Sequence, residues 1–534
     1  MDDDVEITFC QLWRGSKKWH ILTYLCWVIP ANVVFALISL SVVFTGGVPE
    51  HHCTVTDNSS LPRNKNGRPE SCLIYSNLTS GDKTEKCSNW TYPDNDYGIT
   101  IVSEWDLVCD HDYLSELSQS FFIMGGIASM LFVSPLADIY GRKRLFLIIN
   151  ASLVLSGIGV AYAVNYVMFA VFRVLTGMAG EACLRISVVA VVELFPKNLR
   201  TFAGQIMFVW WSIGMMILDL MAYFIRNWRH LQLAVALMPV ITIVDIWLIP
   251  ESVPWLLSKG KVEQAEEIVK KAAAFNRTKL AEHPFKAEVK EEKELGRMTL
   301  FREPILRRIT FVLFALWFIN NLVYYGLSLS AAVLAGDRFL NFFLMALVEI
   351  PSTVFCPFIL ESRAGRRISL TSFHVIAGIS LILLVFVPPV TEDGTNLVPL
   401  SIFLTLVGKS SIMASYNAVT QYSLELYPTL VRNTGSGTSS FTAQVAGTLA
   451  PFTVYLARSV PWAPGVIFGI LSLCAAALVL LLPETRGRPL PQTIEDMEQW
   501  HLPSLSCGSL NRSKKNESAN IKSDEEKEQV NTLL

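Results

Sequence analysis

Charged side chains occur inside several long apolar runs of this sequence, and they are the residues best suited to bind a charged solute. Glu181 and Arg185 stand four residues apart, on one face of a helix, and can neutralise each other. Glu349 lies within Val-Glu-Ile-Pro, and Asp219 lies near the end of another run. Such a group costs about 2.5–3.5 kcal/mol inside a membrane helix, so it usually faces a cavity or a partner. A substrate charge could compete for Glu181 or Arg185, although a self-contained salt bridge explains the pair equally well. Asp219 could bind a cation, take a proton or be hydrated.

A polar and aromatic stripe occupies another apolar run. Its members are three, four and seven residues apart and share one helix face: Trp317, Asn320, Asn321, Tyr324 and Ser328. Aromatic faces suit organic cations through cation–π attraction and planar anions through stacking. Hydrogen bonding between helices is the alternative role for this face. Gln444, in a later run, can donate and accept hydrogen bonds without preferring a charge, or can bond to neighbouring backbone.

Groupings typical of enzymes do not occur in the sequence. Its eight histidines do not cluster with cysteines as metal ligands. A phosphate-binding glycine-rich loop ahead of Lys-Ser or Lys-Thr is also missing. We therefore expect the protein to be neither an enzyme nor an ATP-driven pump, and to bind no metal and no cofactor.

The composition places these residues in a lipid environment. Of the 534 residues, 51% are hydrophobic and 17% are charged, whereas soluble domains carry about a quarter charged residues. The net charge of -2 gives no indication of nucleic-acid binding. Apolar runs long enough for a membrane-spanning helix recur along the whole chain. We place spans at 19–44, 113–136, 145–163, 167–193, 201–225, 232–249, 309–329, 339–360, 368–388, 398–423, 434–456 and 464–482.

The orientation of these twelve spans follows from the basic residues between them. Lys and Arg cluster after the second, fourth, eighth and tenth spans, and short cytoplasmic loops carry an excess of these residues. Both termini therefore come out cytoplasmic. Residues 1–18 form the N-terminal segment, and the polar residues 485–534 form a tail that we expect to be disordered.

Two long loops interrupt the apolar pattern. Residues 45–112 lie outside in this topology, where we expect two disulfides of open pairing, although free thiols and unmodified acceptors are the alternative. The cysteines are Cys53, Cys72, Cys87 and Cys109, and the glycan acceptors are Asn58, Asn77 and Asn89. Residues 250–308 face the cytoplasm, and Val262 to Ala274 predicts an amphipathic helix there. The acceptor at Asn276 falls on this inner side and should stay unmodified.

An internal repeat divides the chain into two halves, 19–249 and 309–484. An acid followed by glycine and basic residues occurs after the second and eighth spans, Glu-Leu-aromatic-Pro ends the fourth and tenth, and Pro-Glu follows the sixth and twelfth. Each pair is separated by nearly the same length of chain, as expected for a parallel repeat whose halves rock about a midplane site. We expect the acids and arginines to form ionic contacts that break and re-form. These switch residues are Asp138, Gly141, Arg142, Arg144, Glu193 and Arg200 in the first half, and Glu361, Gly365, Arg366, Glu425 and Arg432 in the second.

With these motifs the sequence resembles the major facilitator superfamily and, within it, the organic cation, anion and zwitterion transporter family of solute carriers. The marks of the resemblance include Ser103-Glu-Trp-Asp-Leu-Val-Cys109, Asp138-Ile-Tyr-Gly-Arg-Lys-Arg144, Asn227-Trp-Arg, Pro250-Glu-Ser-Val-Pro-Trp-Leu-Leu257, Tyr325-Gly-Leu-Ser-Leu329, Val348-Glu-Ile-Pro351 and Glu425-Leu-Tyr-Pro-Thr-Leu-Val-Arg432. The resemblance implies an all-α membrane protein with twelve transmembrane helices in two six-helix halves, the major facilitator fold.

The same resemblance implies roles for three residues. Glu349 matches an acid at the central cavity of cation transporters, although related anion transporters also carry an acid there. Tyr324 matches an aromatic cavity position. Gln444 departs from the family pattern, because its position resembles one that holds Asp in cation carriers and Arg in anion and carnitine carriers.

Together these observations predict a plasma-membrane carrier that moves small organic ions by alternating access, with a counter-ion or proton as an open question. The candidate substrate-binding residues are Glu181, Arg185, Asp219, Trp317, Asn321, Tyr324, Glu349 and Gln444. We favour cations or zwitterions such as carnitine-like molecules, because three acids in the core face one base, Arg185. An organic anion exchanger is the alternative within the family, and a non-transporting receptor is the alternative from another class.

Overall fold

The computed structural model describes residues 2–54, 62, 70–75, 84–93, 98–240, 248–278, 285, 299–331, 334, 336–388, 390–391, 393–488, 490–492 and 495–498. Most of them are helical. The helices that correspond to the predicted spans are Lys18–Thr45, Cys109–Val133, Arg142–Ala161, Tyr166–Leu194, Lys197–Phe224, Trp228–Leu237, Pro304–Ser330, Arg338–Glu361, Gly365–Val385, Val398–Leu426, Arg432–Ser459 and Ala463–Val479. We number these helices as the first to twelfth spans.

Within the described residues, nine of these helices are long and apolar enough to cross a bilayer. The eleventh span, Arg432–Ser459, is long but rich in glycine, serine and threonine, and the twelfth has 17 residues. The sixth span was predicted at 232–249, and the structure describes its first part as Trp228–Leu237. The order and spacing of the helices agree with the predicted bundle.

The described part of the 45–112 loop contains two small antiparallel ladders. Strands β1 (His52–Cys53) and β4 (Trp90–Thr91) pair, as do β2 (Leu73–Tyr75) and β3 (Thr84–Lys86). Two disulfides join Cys53 to Cys87 and Cys72 to Cys109, which resolves the pairing that the sequence leaves open. Asn89 is exposed, whereas Asn58 and Asn77 lie outside the described residues.

The end of this loop docks onto the first half of the bundle. Glu104 accepts a hydrogen bond from the Trp228 indole at 2.6 Å and pairs with Arg229. The Trp105 ring lies edge-on against Trp228 and Phe169, with centroids 5.3 Å away in both cases. The Ser-Glu-Trp-Asp-Leu-Val-Cys and Asn-Trp-Arg motifs of the sequence are therefore contact partners. We call this end of the bundle the loop end, and the opposite end, which carries the repeated motifs, the motif end.

At the motif end, the N-terminal segment folds back on the 250–308 loop. Helix Asp2–Gly15 buries Phe9 and Leu12 against helices Val253–Ser258 and Val262–Asn276. Asn276 joins them, because its side chain accepts from the Trp19 amide at 3.0 Å and donates to the Ser16 carbonyl at 2.8 Å. The predicted amphipathic helix is thus present and has a partner.

The first part of the tail predicted to be disordered over 485–534 is instead ordered: the Thr485 hydroxyl donates to Glu425, the Thr429 amide donates to the Pro491 carbonyl, and Glu495–Glu498 form a helical turn. From residue 499 onward the tail lies outside the described residues.

Candidate functional site

A buried ion pair lies in the second half of the bundle. Glu349 of the eighth span and Lys409 of the tenth span are 2.9 Å apart, and both side chains are fully buried. The Lys409 ammonium also lies 3.4 Å from the centroid of the Tyr324 ring and donates to the Ser328 hydroxyl. The polar and aromatic face of the seventh span therefore surrounds a lysine that the sequence analysis did not single out.

The first half of the bundle reaches this ion pair through its fifth span. Ser212 donates to the Glu349 carboxylate at 2.9 Å, and the Trp211 indole donates to the Tyr324 hydroxyl at 2.6 Å. Adjacent residues of one helix thus bond to two helices of the other half. Because these bonds cross the boundary between the halves, any rocking of the halves must break them.

The rest of the seventh-span face is used in helix contacts. Trp317 donates to the Ser423 hydroxyl at 3.0 Å, and its ring lies 5.5 Å from that of Tyr416. Asn321 donates to the Ala443 carbonyl. Both alternatives from the sequence therefore have support: Tyr324 faces the charged centre, whereas Trp317 and Asn321 join helices.

A second charged cluster links the fourth and eleventh spans. Glu181 and Arg185 pair at 2.8 Å, and the Gln444 amide donates to the same Glu181 oxygen at 3.0 Å. Gln444 therefore meets the Glu181–Arg185 pair, from a distant part of the sequence, between the halves. Glu181 is buried, but the Arg185 side chain is 33% exposed. Arg185 is thus the most accessible of the four charges in the two clusters.

Asp219 lies apart from both clusters, toward the loop end of the fifth span. It is 7% exposed, and its Oδ1 atom is buried without a hydrogen-bond partner. No described residue forms an ion pair with it.

The charge balance of the core differs from the prediction. Besides Arg185, the bundle buries Lys409 and Arg173, and the Arg173 guanidinium donates to the Gln119 amide oxygen at 2.7 Å. The count of three acids against one base is therefore wrong, because Glu349 is neutralised by Lys409. Charge counting no longer favours a cationic substrate.

The first repeated motif forms a closed network at the motif end. The Arg142 guanidinium pairs with Asp138 and Glu193, both at 2.9 Å. Glu251 accepts hydrogen bonds from two successive backbone amides, beginning with Arg142, at 2.8 and 3.1 Å. Gly141 fits beneath it with φ +98°, and an added Cβ there would lie 2.5 Å from a Glu251 oxygen.

The second motif repeats this network with one change. Arg366 pairs with Glu425 at 3.2 Å, and Glu484 accepts from the Arg366 amide at 2.9 Å. Gly365, at φ +72°, packs against Glu484 as Gly141 does against Glu251. The loop has one more residue between its acid and its glycine, so Glu361 is exposed and forms no ion pair with Arg366 within the described part of the chain. The acid–arginine contact expected in both loops is therefore present only in the first.

The remaining switch arginines separate into two groups. Arg200 donates to the Phe195 carbonyl at 2.8 Å, and Arg432 donates to the Tyr427 carbonyl at 3.2 Å. Each arginine thus closes the turn that follows its own Glu-Leu-aromatic-Pro motif. Arg144, in contrast, is exposed.

Contacts also cross between the halves near the loop end. Arg458 of the eleventh span pairs with Glu116 of the second span. Phe44 of the first span stacks on Phe339 of the eighth, with ring centroids 5.4 Å apart. Together with the central bonds, these contacts hold the two halves together on this side of the clusters.

Comparisons with known proteins agree with this architecture. The family model described as "Sugar (and other) transporter" matches residues 72–497. Among solved structures, the crystal structure of a D-xylose-proton symporter has a TM-score of 0.61 at 14% identity, covering 89% of this chain and 100% of that one. The inward-open xylose transporter XylE from E. coli has a TM-score of 0.60 at 13% identity, covering 90% and 99%. These structures show the fold.

Curated relatives are more similar in sequence. The organic cation transporter protein of Drosophila melanogaster is 35% identical, covering 91% of this chain and 93% of its own. The organic cation/carnitine transporter 2 of Rattus norvegicus is 34% identical, covering 87% and 90%. Organic anion transporter 3 of Oryctolagus cuniculus is 33% identical, covering 86% and 88%. The chain therefore belongs to the major facilitator superfamily and, within it, to the organic cation and anion transporters of solute carrier family 22, which are membrane transporters and not enzymes.

Proposed function

We propose that this protein carries small organic ions across the plasma membrane by alternating access, and that its substrate binds between the halves at Glu181, Arg185 and Gln444. The observation that carries the proposal is the meeting of these residues from the fourth and eleventh spans around one carboxylate oxygen. A site shared by both halves is exposed to one side or the other as the halves rock. The two matched networks at the motif end support such a movement, because each half carries its own set of breakable contacts.

The accessible charge at this site defines the substrate class within the proposal. Of the four clustered charges, only Arg185 has a substantial exposed fraction, and a guanidinium binds carboxylates through paired hydrogen bonds. The substrate is therefore a small organic ion that carries a carboxylate, with a carnitine-like zwitterion as the favoured case and an organic anion as the alternative. The zwitterion's cationic group would lie toward the Glu181 carboxylate.

The proposed topology places the motif end in the cytoplasm together with both termini. The basic residues of the repeated motifs support this orientation. The exposed Asn89 supports glycosylation of the 45–112 loop outside the cell, and Asn58 and Asn77 are the other proposed acceptors. Asn276, whose side chain is used to join the N-terminal segment to the loop helix, should carry no glycan.

Uptake of three labelled probes tests the proposal: an organic cation, a dicarboxylate and a carnitine-like zwitterion. We expect saturable zwitterion uptake that falls about 10- to 150-fold at low substrate concentration in Arg185→Gln, because a charge-assisted hydrogen bond contributes about 1.5–3 kcal/mol. Arg185→Lys should retain part of it. Lys271→Gln is the matched control, since its ion pair with Glu267 is exposed.

The outcomes separate the alternatives. Dicarboxylate uptake that requires Arg185 would assign an anion exchanger. Cation uptake that is unaffected by Arg185→Gln would contradict the proposed substrate class. If the glycosylated protein reaches the cell surface and moves none of the probes, transport itself is contradicted and the receptor alternative gains support.

A further inference from the structure

A hydrogen bond between two glutamine side chains crosses from one half to the other near the motif end. The Gln205 Nε2 atom of the fifth span donates to the Gln421 Oε1 atom of the tenth span at 2.9 Å. Gln205 stands eight residues after the start of its helix, and Gln421 stands five residues before the end of its own. The bond therefore joins the halves on the side of the charged clusters opposite to the Arg458–Glu116 pair.

Gln421 is also part of the second repeated network. Its Nε2 atom donates to the Glu425 carboxylate at 3.1 Å, one helix turn along the tenth span. The same carboxylate pairs with Arg366 at 3.2 Å and accepts from the Thr485 hydroxyl. A continuous chain of hydrogen bonds thus runs from Gln205 in the first half to the network of the second half. Because hydrogen bonds in a chain polarise one another, loss of the Gln205 contact also weakens the bond to Glu425.

The first network has no counterpart of this bridge. Aligning the two Glu-Leu-aromatic-Pro motifs places Val189 where the second half has Gln421, and Gly437 where the first half has Gln205. Valine and glycine carry no side-chain group that forms hydrogen bonds, and an added Cβ at Gly437 would lie in open space. The two networks match within their halves, but a glutamine bridge can form at one of the two equivalent places and not at the other.

The burial of Gln205 makes the bridge a weak contact. Gln205 is 6% exposed, and its Oε1 atom is buried without a hydrogen-bond partner among the described residues. A buried acceptor without a partner costs free energy, and water would satisfy it once the halves separate. This cost offsets part of what the bond to Gln421 contributes. The contact therefore favours the joined arrangement without making it permanent.

We propose that Gln205 and Gln421 form a latch, which stabilises the arrangement with the motif end closed and links that closure to the second network through Glu425. When the halves separate at the motif end, the Gln205 bond breaks and Gln421 stays with Glu425 in the second half. The two glutamines are positioning residues, since they act on the arrangement of the halves and not on the substrate. This inference rests on the proposed function, because it requires halves that rock.

Distances between spin labels on the two halves test the latch without any substrate. Lys259 and Ser362 are exposed residues at the motif end, one beside each network, and labels on genetically encoded amino acids there leave the native cysteines untouched. Pulsed electron paramagnetic resonance of the full chain in lipid nanodiscs then gives the ratio of short to long distances, which is the ratio of closed to open motif ends. We expect Gln205→Leu and Gln421→Leu each to lower this ratio about 2- to 12-fold, the range for one hydrogen bond.

Two further variants show whether the effect belongs to the bond between the halves. The double variant Gln205→Leu with Gln421→Leu should lower the ratio no more than Gln421→Leu alone, because both changes remove the same bond. Gln232→Leu is the matched control. Gln232 is 2% exposed, but its 3.4 Å contact with Ser41 lies within the first half, so the ratio should not change.

The outcomes separate the latch from the proposed function. An unchanged ratio in both single variants overturns the latch, as does a double variant that equals the product of the singles. A control that shifts the ratio as much as Gln205→Leu also overturns it, because the effect would not depend on a contact between the halves. If the ratio shifts as expected and none of the labelled probes is taken up, the proposed function is contradicted and the latch stands.

Discussion

Removing one partner of the Glu349–Lys409 pair should destabilise the protein far more than removing both. The two groups are 2.9 Å apart and fully buried, so their attraction is about 6 kcal/mol at an effective dielectric constant of about 20. Desolvation of both charges offsets much of this attraction in the intact pair. Lys409→Met leaves the Glu349 carboxylate buried without its cation, and we expect a loss of about 3–5 kcal/mol in unfolding free energy.

The double variant Glu349→Gln with Lys409→Met should recover most of that loss, because it leaves no buried charge and Gln can still accept from Ser212. Reversible unfolding in mixed SDS and detergent micelles measures the unfolding free energy of the wild type, each single variant and the double variant. Lys270→Met is the control, because Lys270 forms a 3.2 Å pair with Glu266 but is 52% exposed. Such a pair should contribute about 0.5 kcal/mol or less to the unfolding free energy. A Lys409→Met loss no larger than the control, or a double variant as unstable as the sum of the singles, would refute the reasoning.

Two further predictions concern the ends of the bundle. Gly141→Ala should slow transport and lower the thermal unfolding midpoint more than Gly260→Ala. Both glycines have positive φ, but only Gly141 has a neighbour, Glu251, at the place where the added Cβ would lie. Initial uptake rates and thermal unfolding measure the two effects, and equal effects would contradict the steric argument. Replacing Cys72 and Cys109 together by serine should reduce the unfolding free energy by about 3–4 kcal/mol, because a disulfide across 37 residues is lost. The amount of protein at the cell surface should also fall. An unchanged unfolding free energy would contradict a stabilising role for this disulfide.

The repeated motifs and the apolar runs allowed the bundle to be predicted, because each motif and each run is defined by residues close together in the sequence. The same reasoning should have found Lys409, since a lysine in the middle of a predicted span meets the criterion that singled out Glu349. Its partner could not be inferred from spacing, because the two residues are on different helices. The missed lysine removed the basis for favouring a cationic substrate from the count of core charges.

Contacts between the halves were beyond sequence reasoning for a related reason. Glu181 and Arg185 are visible as a pair because one helix turn separates them. The bond from Gln444 to Glu181 depends on how the fourth and eleventh spans pack, which periodicity does not specify. A recognisable motif can also mislead. The second repeated loop has one more residue between its acid and its glycine, and Glu361 is exposed and lacks the ionic contact that the motif predicts.

The attachment of the 45–112 loop to the bundle has a practical consequence. Glu104 bonds to Trp228 and Arg229, and Trp105 packs on Phe169, all of them residues of the first half. The described part of the loop is therefore attached to that half, and two disulfides link it internally. An antibody fragment raised against it would serve as a fiducial for particle alignment in electron microscopy, and its tilt relative to the second half would give the rocking angle directly from images.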